Sequence, residues 1–376
     1  MYAPNQEMWH LSTIQESERT AIREALVRFL RAEAAEDKLR LGMQSERGYD
    51  HTLWQQMADM GLLGIVISET CGGIGGSDID AAVVAEELGR SLLPVPFIET
   101  CVMVPSLLES GDITEETQDI LSAVVRGTAT IAIGGNTALA PYRDPNSTLK
   151  LNSDGSVSGE VSLVMHGAHA DFLLLTFGSD AQTRCVLVSS DSGYDVDKQT
   201  ANDPALRPAT IKLNNTPCTA LTGLRKDDLE RARLRGVAAL SALQAGAARA
   251  IFEITIDYLK TRYQFGRPIG SFQALKHIAA DLFLEVESAT SAAHAAANAL
   301  ASADPLAAKS VALAGFICND AFRDVSAQAI QLHGGIAYTR EHVAHLYWRR
   351  ARATLSMLGD SDTHRETYLG AWETAA

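Results

Sequence analysis

The sequence predicts an α+β protein in which a central β region separates two helical regions. Before about residue 126 and after about residue 226, apolar residues recur at helical spacing, and Ala-rich runs with few aromatic residues favour helix. Between roughly residues 128 and 224 this period is replaced by short β-type runs separated by turn residues. We therefore predict a helical domain over 1–126, an antiparallel β domain over 127–225 and a helical domain over 226–376.

Local patterns support the individual elements. In the N-terminal region, residues 53–65 predict a helix that ends at Gly61, and residues 78–90 predict another. Five runs have β character: Thr130–Ile133, Ser156–Val161, Phe172–Thr176, Cys185–Val188 and Thr210–Leu213. Long helices are expected over Asp281–Leu300 and Pro305–His333.

Composition and charge restrict the class of function. Apolar residues make up 46% of the 376 residues, and the formal net charge is −14, which argues against nucleic acid or an anionic membrane as the main partner. The five cysteines show no Cys-x-x-Cys spacing, so we expect reduced core thiols and no metal site. The sequence shows no signal-peptide pattern and no apolar run that we expect to span a bilayer. These features predict a cytoplasmic protein.

The segment Tyr258–Gln273 contains the first motif. A long helical pattern precedes it, and Gly266 with Pro268 is expected to end that helix. Arg262 and Phe265 are three residues apart, so we expect them on one helix face near its end. A planar cation that suits phosphate would then lie beside a flat apolar ring. By itself, an Arg-x-x-Phe-Gly pattern is more typical of an ordinary helix C-terminus.

The second motif is Gln331–Glu341, which contains the pair Gly334–Gly335. Because glycine has no Cβ, such a pair allows a ligand to approach the backbone closely, although a helix-ending turn uses glycine equally well. The two motifs, in this order and at this spacing, resemble those of the acyl-CoA dehydrogenase family. The resemblance covers nearly the whole chain and is clearest in its last third. It implies that the C-terminal region is a four-helix bundle.

In that family, these two motifs of one subunit hold the adenosine and pyrophosphate half of the FAD seated in the neighbouring subunit. The resemblance therefore implies that FAD is shared between subunits, that the substrate is an acyl-CoA and that electron-transfer flavoprotein is the electron acceptor. Arg262 would bind the pyrophosphate, and Phe265 and Phe272 would border the adenine or ribose. The implied cofactor-binding residues are Arg262, Phe265, Phe272, Gln273, Gln331, Gly334 and Gly335.

Desaturation of an acyl-CoA requires a base for the α-proton and a flavin that accepts the β-hydride. The family's C-terminal glutamate falls on Leu358 here, and the alternative position, on the long helix, falls on Gly236. Neither residue can accept a proton, so we assign no catalytic residue. Asp360 and Asp362 are the nearest substitutes, but their side chains are shorter and displaced, and a solvated acidic turn is favoured.

The β region departs from the family as well. The family's first isoalloxazine-binding motif is reduced to Ile131–Thr137. At the second, Leu163 and Met165 replace the tryptophan that covers the ring and the threonine that reaches flavin N5. Leucine fills space but does not stack, and a thioether is a poor hydrogen-bond partner. The chain's own flavin pocket is therefore predicted to be damaged.

A homo-oligomer requires both halves of the site from every subunit, because symmetry repeats each patch. We therefore expect a hetero-oligomer, α2β2, in which this chain is the non-catalytic partner of a catalytic acyl-CoA dehydrogenase chain. Such paired subunits resemble those that act on bulky substrates such as steroid side-chain CoA thioesters. The alternatives are a homotetrameric dehydrogenase that uses Asp360, a flavoprotein with elimination chemistry, and a structural protein that binds acyl-CoA or a partner without flavin.

Overall fold

The computed structural model describes residues 14–179 and 182–373, and it confirms the predicted order of a helical, a β and a second helical region. Within those residues, six α-helices precede the first strand: α1 (Glu16–Glu33), α2 (Glu36–Gln44), α3 (His51–Asp59), α4 (Asp78–Arg90), α5 (Val104–Leu108) and α6 (Glu115–Val125). Gly61 lies just beyond α3 with φ +76°, so the expected stop occurs there. A buried π-helical segment, Ile98–Met103, leads directly into α5.

The central region forms two four-stranded sheets with the orders β1-β4-β5-β8 and β2-β3-β7-β6. The strands are β1 (Ile131–Gly135), β2 (Lys150–Leu151), β3 (Val157–Val164), β4 (Phe172–Phe177), β5 (Arg184–Ser189), β6 (Asp195–Lys198), β7 (Ala209–Thr216) and β8 (Thr219–Ala220). All five predicted runs are strands. The pairings are antiparallel except for β1 with β4, which is parallel. Side chains of both sheets pack between them.

The C-terminal region is a helical bundle built on α7 (Lys226–Thr261). It continues through a short hairpin and four helices: β9 (Tyr263–Gln264), β10 (Arg267–Pro268), α8 (Gln273–Ala301), α9 (Ala307–His333), α10 (Ala344–Thr354) and α11 (Ser361–Glu373). Contrary to the sequence-based expectation, α7 is long and apolar enough to cross a membrane by length and composition alone. However, 78% of its apolar window is buried inside the protein, as in a core helix.

Two glycines allow α7 to pack closely against α4. A Cβ at Gly246 would lie 2.0 Å from the carbonyl oxygen of Glu86, and a Cβ at Gly89 would lie 1.9 Å from that of Leu243. No larger residue fits at these points without moving a helix. This contact, together with the packing of the π-helical segment on α7, fixes the middle of α7 against the N-terminal region.

Candidate functional site

The first motif lies at the end of α7, but its geometry differs from the prediction. The helix ends at Thr261, and Arg262 is its extended C-terminal cap rather than a residue of the last turn. Phe265 and Gly266 then form the two-residue turn of the β9–β10 hairpin, with φ values of +53° and +75°. Positive φ at both central residues is the requirement of a type I′ turn. The expectation of one helix face was therefore wrong, because the helix ends before Arg262 and Phe265 lies in the hairpin turn.

We call Arg262–Gln273 together with Gln331–Gly335 the arm. Phe265 at its tip is 90% exposed, and it meets the half-buried Phe272 edge to face at 6.1 Å between ring centroids. The guanidinium of Arg267 lies 4.0 Å from the centroid of the Phe272 ring. So exposed an aromatic ring on a turn is typical of a contact surface for a ligand or a partner.

The second motif forms the turn after α9. Gly334 has φ +66°, so the chain's own backbone geometry favours glycine there. Gly335 has no such reason, and a Cβ at either position would meet no atom within 4 Å. Gln331 and both glycines are exposed. The open space over Gly335 therefore fits close approach by a group from outside the chain.

The arm is also suited to an anion. Arg262 is exposed, and its guanidinium makes no ion pair within the described residues. Sequence reasoning missed two large exposed side chains beside the motifs, Tyr263 (63% exposed) and Tyr338 (80% exposed). The only signal for them was the presence of aromatic residues within the two motifs.

Gly236 and Leu358, the two positions at which the resemblance predicts the family's glutamate, lie close together. A Cβ added at Gly236 would lie 3.0 Å from Cδ1 of Leu358 and 2.6 Å from the sulfur of Met103. Leu358 is 4% exposed and has φ +59°. Its backbone N–H donates to the carbonyl of Pro141 at 2.8 Å. The point where the resemblance predicts a base is therefore buried, apolar and filled by side chains of this chain.

Two further contacts join the β region to the bundle beside this point. The Tyr142 hydroxyl donates to the carbonyl of Ala353 at 2.5 Å, and Arg350 forms a buried ion pair with Asp203. Removing one member of a buried ion pair leaves an unpaired buried charge, so both residues are needed at this junction.

The positions that would cover a flavin ring lie at the end of β3. Leu163 is 46% exposed with φ +58°, and Met165 is 7% exposed. The neighbouring His166 also has a positive φ, and burial, together with the charge of Arg350, lowers its pKa to about 4. In the first flavin motif, the Thr137 hydroxyl bonds to the Thr176 hydroxyl at 2.8 Å. We call Leu163, Met165, Gly236 and Leu358 the home site.

The proposed substitute bases are exposed and are bonded to residues of α11. Asp360 is exposed and caps the first turn of α11, accepting hydrogen bonds from the backbone and hydroxyl of Thr363 at 2.8 and 2.7 Å. These bonds lower the pKa of Asp360, the opposite of what a base working near neutral pH requires. Asp362 is exposed and pairs with Arg365.

Sequence reasoning missed the buried carboxyl of Glu99. Glu99 lies in the π-helical segment about one turn from Met103, which touches the home site. It is 7% exposed, and burial raises its pKa from 4.5 to about 7. No hydrogen bond or ion pair joins its carboxyl to another side chain of the described residues. A glutamate inside the apolar run Pro96–Leu108 was the available signal.

A helical–β–helical chain with these two motifs has the architecture of a flavin-dependent dehydrogenase. Comparison with known proteins supports this class. The family model described as the acyl-CoA dehydrogenase N-terminal domain matches residues 16–128, and the C-terminal domain model matches residues 231–370. The acyl-CoA dehydrogenase IpdE2 of Mycolicibacterium smegmatis is 33% identical over 345 residues, covering 91% of this chain and 94% of that protein.

Two solved structures share the fold. The ChsE4–ChsE5 complex from Mycobacterium tuberculosis matches with a TM-score of 0.82 and 23% identity, over 97% of this chain and 99% of that chain. The FAD complex of PigA matches with a TM-score of 0.84 and 20% identity, also over 97% and 99%. The chain belongs to the acyl-CoA dehydrogenase family, flavin oxidoreductases that act on CH–CH bonds.

Proposed function

We propose that this chain is the non-catalytic subunit of a hetero-oligomeric, FAD-dependent acyl-CoA dehydrogenase, with an α2β2 assembly. The observation that carries the proposal is the meeting of Leu358 with Gly236 and Met103 at the point where the family places its base. A hydrocarbon and a thioether cannot accept the weakly acidic α-proton.

The arm would complete the cofactor site of the catalytic chain. Arg262 would donate charge-assisted hydrogen bonds to the pyrophosphate, and the edge-to-face pair Phe265 and Phe272 would border the adenine or ribose. Gln273 and Gln331 would hydrogen-bond to the nucleotide, and Gly334–Gly335 would allow its close approach. The bound flavin supplies the hydride acceptor. These roles are supported by exposure and by open space, and the contacts with FAD stay a prediction.

The home site supports the same non-catalytic assignment, because it lacks the side chains that would bind a flavin. At the positions that would stack on a flavin ring and donate to it, Leu163 and Met165 offer neither function. A homo-oligomer of this chain would repeat that deficiency in every protomer. A second, different chain that carries the glutamate removes the difficulty.

The substrate of the assembly would be a bulky acyl-CoA, such as a steroid side-chain thioester, and its electrons would pass to electron-transfer flavoprotein. The pairing is supported by the structural similarity to a chain of the ChsE4–ChsE5 complex, which joins two named proteins. The net charge of −14 would repel the CoA phosphates at long range, so local arginines and lysines must bind them.

The test is to purify this chain alone and after co-expression with a dehydrogenase-like chain that carries the glutamate, then to measure flavin absorbance and turnover. We expect flavin and α,β-desaturation only in the co-purified assembly. Stable FAD occupancy together with turnover by the lone chain would rule out the proposal.

A second candidate is a complete homomeric dehydrogenase in which Glu99, rather than Asp360, is the base. Its favouring observation is the buried Glu99 carboxyl, with a pKa of about 7, near the filled base point. This candidate predicts that the lone chain has activity and that Glu99→Gln abolishes it. If the lone chain has no activity, the candidate is excluded.

A further inference from the structure

Three rings lie in a stack beneath the arm, and we call Tyr258, His333 and His342 the ring stack. The ring centroids of Tyr258 and His333 are 4.5 Å apart, and those of His333 and His342 are 4.4 Å apart. His333 is 3% exposed and immediately precedes Gly334. The stack therefore lies directly under the glycine turn.

Tyr258 contacts both segments of the arm. Its backbone carbonyl accepts the N–H of Arg262 at 2.9 Å, and its hydroxyl donates to the backbone carbonyl of His333 at 3.3 Å. The first bond fixes the residue predicted to bind pyrophosphate. The second fixes the residue that leads into the glycine pair, 75 positions further along the chain. Tyr258 thus links two segments that are distant in sequence, through its backbone to the first and through its side chain to the second.

The surroundings of His333, the middle ring, favour its neutral form. Burial lowers the pKa of His333, and its Nδ1 bonds to the carbonyl of Ala329 at 2.8 Å, which fixes Nδ1 as the protonated nitrogen. Nε2 is buried and has no hydrogen-bond partner in the described residues. An unpartnered buried nitrogen is costly. A phenyl ring would pack there without that cost, so the flat shape of the ring is the feature that the stack uses.

We propose that Tyr258, through the ring stack, is a positioning residue that holds the two segments of the arm in register, so that Arg262 and Gly334–Gly335 contact one FAD together. The inference rests on the proposed function. Fixing two contact segments before the ligand arrives raises affinity, because the complex then loses less conformational freedom on binding. The hairpin tip needs such support, since Phe265 is 90% exposed.

The experiment measures the Kd for FAD of the assembled protein isolated through a tag on this chain, by flavin fluorescence after removal and return of FAD. Tyr258→Leu removes the ring and the hydroxyl, and we expect a Kd at least ~10-fold higher. Tyr258→Phe removes one hydrogen bond, and we expect a rise of about 2- to 10-fold. His333→Leu should match Tyr258→Leu, whereas His333→Phe should restore a Kd within ~2-fold of the wild type.

Tyr368→Leu is the matched control. Tyr368 forms a comparable pair with Phe316, at 6.0 Å between centroids, on α9 and α11. The Tyr368→Leu variant is expected to have a lower melting temperature and an unchanged Kd for FAD. A merely structural ring stack would behave in the same way as this control.

The Arg262→Ala variant distinguishes failure of the positioning role from failure of the proposed function. If Arg262→Ala releases FAD while Tyr258→Leu and His333→Leu bind it as the wild type does, the positioning role is wrong and the proposed function stands. If Arg262→Ala also retains FAD with unchanged Kd, both the positioning role and the proposed function fail.

If Tyr258→Leu does not assemble, the Tyr258→Phe and His333→Phe variants decide. A higher Kd for Tyr258→Phe together with a near-wild-type Kd for His333→Phe supports the positioning role. Any other pair of results overturns it.

Discussion

The arm and the home site are the two regions that the family resemblance connects with FAD, yet they differ in exposure, polarity and open space. The arm is exposed, cationic and aromatic, with open space over its glycines. The home site is largely buried, apolar and crossed by a hydrogen bond from Leu358 to Pro141. An exposed, unfilled surface is suited to a partner's cofactor, while a filled site leaves little room for one of its own.

Residues in both regions have uncommon backbone conformations. Phe265 in the arm and Leu163, His166 and Leu358 at or beside the home site all have positive φ, which is uncommon for residues other than glycine. Such strain persists only where the surrounding fold imposes it. The fold therefore imposes uncommon backbone conformations at the positions in the home site that were predicted to face a flavin.

Restoring the missing carboxylate is the most severe test of this contrast. Leu358→Glu would place a charge against Met103 and beside Gly236, and we expect a loss of at least ~3 kcal/mol of unfolding free energy at pH 8. It should not give the lone chain turnover, because the flavin-covering residues are still absent. Chemical denaturation and a dye-reduction assay measure the two effects. The volume-conserving Leu358→Met should cost less than ~1.5 kcal/mol, and dehydrogenase activity of Leu358→Glu alone would show that the home site binds flavin.

The buried Glu99 gives the home region a pH dependence. Its pKa rises from 4.5 when unfolded to about 7 when folded, so the folded state binds the proton more tightly between these values. Stability should therefore fall as pH rises through that window, by roughly 3 kcal/mol in total. Denaturation of the isolated chain should find Glu99→Gln more stable than the wild type by about that amount at pH 8 and equal to it near pH 4.

The control for that comparison is Glu366→Gln, which alters an exposed carboxylate on α11. It should shift stability by less than ~0.5 kcal/mol at either pH. A Glu99→Gln variant with the same pH profile as the wild type would mean that Glu99 is charged and partnered in the native protein.

In the arm, the expected effects fall on binding and not on folding. Arg262→Ala should raise the Kd for FAD of the assembled protein by ~10- to 100-fold, as expected for a charge-assisted hydrogen bond. Because the residue is exposed, unfolding free energy should change by less than ~0.5 kcal/mol. Flavin fluorescence and denaturation of the same preparations separate the two. Arg126→Ala, at an exposed position after α6, should change neither quantity.

The smallest effect concerns Asp360. Asp360→Ala removes the cap of α11 and should cost about 1 kcal/mol, whereas Asp360→Asn keeps a capping side chain and should cost a few tenths. Neither should change turnover by the assembled protein. Loss of turnover in Asp360→Asn without loss of stability would make Asp360 a base after all.

The sequence predicted those parts of the fold that depend on local patterns. The five β runs and the long helices before His333 are governed by side-chain periodicity, which one sequence contains. The parallel pairing of β1 with β4 was missed because strand direction is set by tertiary connections. The hairpin at Phe265 was missed because the prediction assumed that the helix continues to about Gly266. The helix in fact ends earlier, at Thr261.

The candidate site shows the same division. Counting along the chain placed Leu358 and Gly236 at two alternative positions, but only the structure brings them to one point with Met103. The burial of Glu99 could not be predicted, because a carboxyl in an apolar run gives no indication of which way it faces. The link from Tyr258 to His333 joins residues far apart in sequence, and no local pattern encodes it.

The flavin content of the native assembly is the most direct test of the claim that this chain completes the FAD site of a separate catalytic chain. The assembly is isolated through a tag on this chain, and FAD absorbance is compared with the quantity of each polypeptide. We predict a second, glutamate-bearing polypeptide in equal amount and one FAD for each pair of chains. A single polypeptide that carries one FAD per copy would contradict the account.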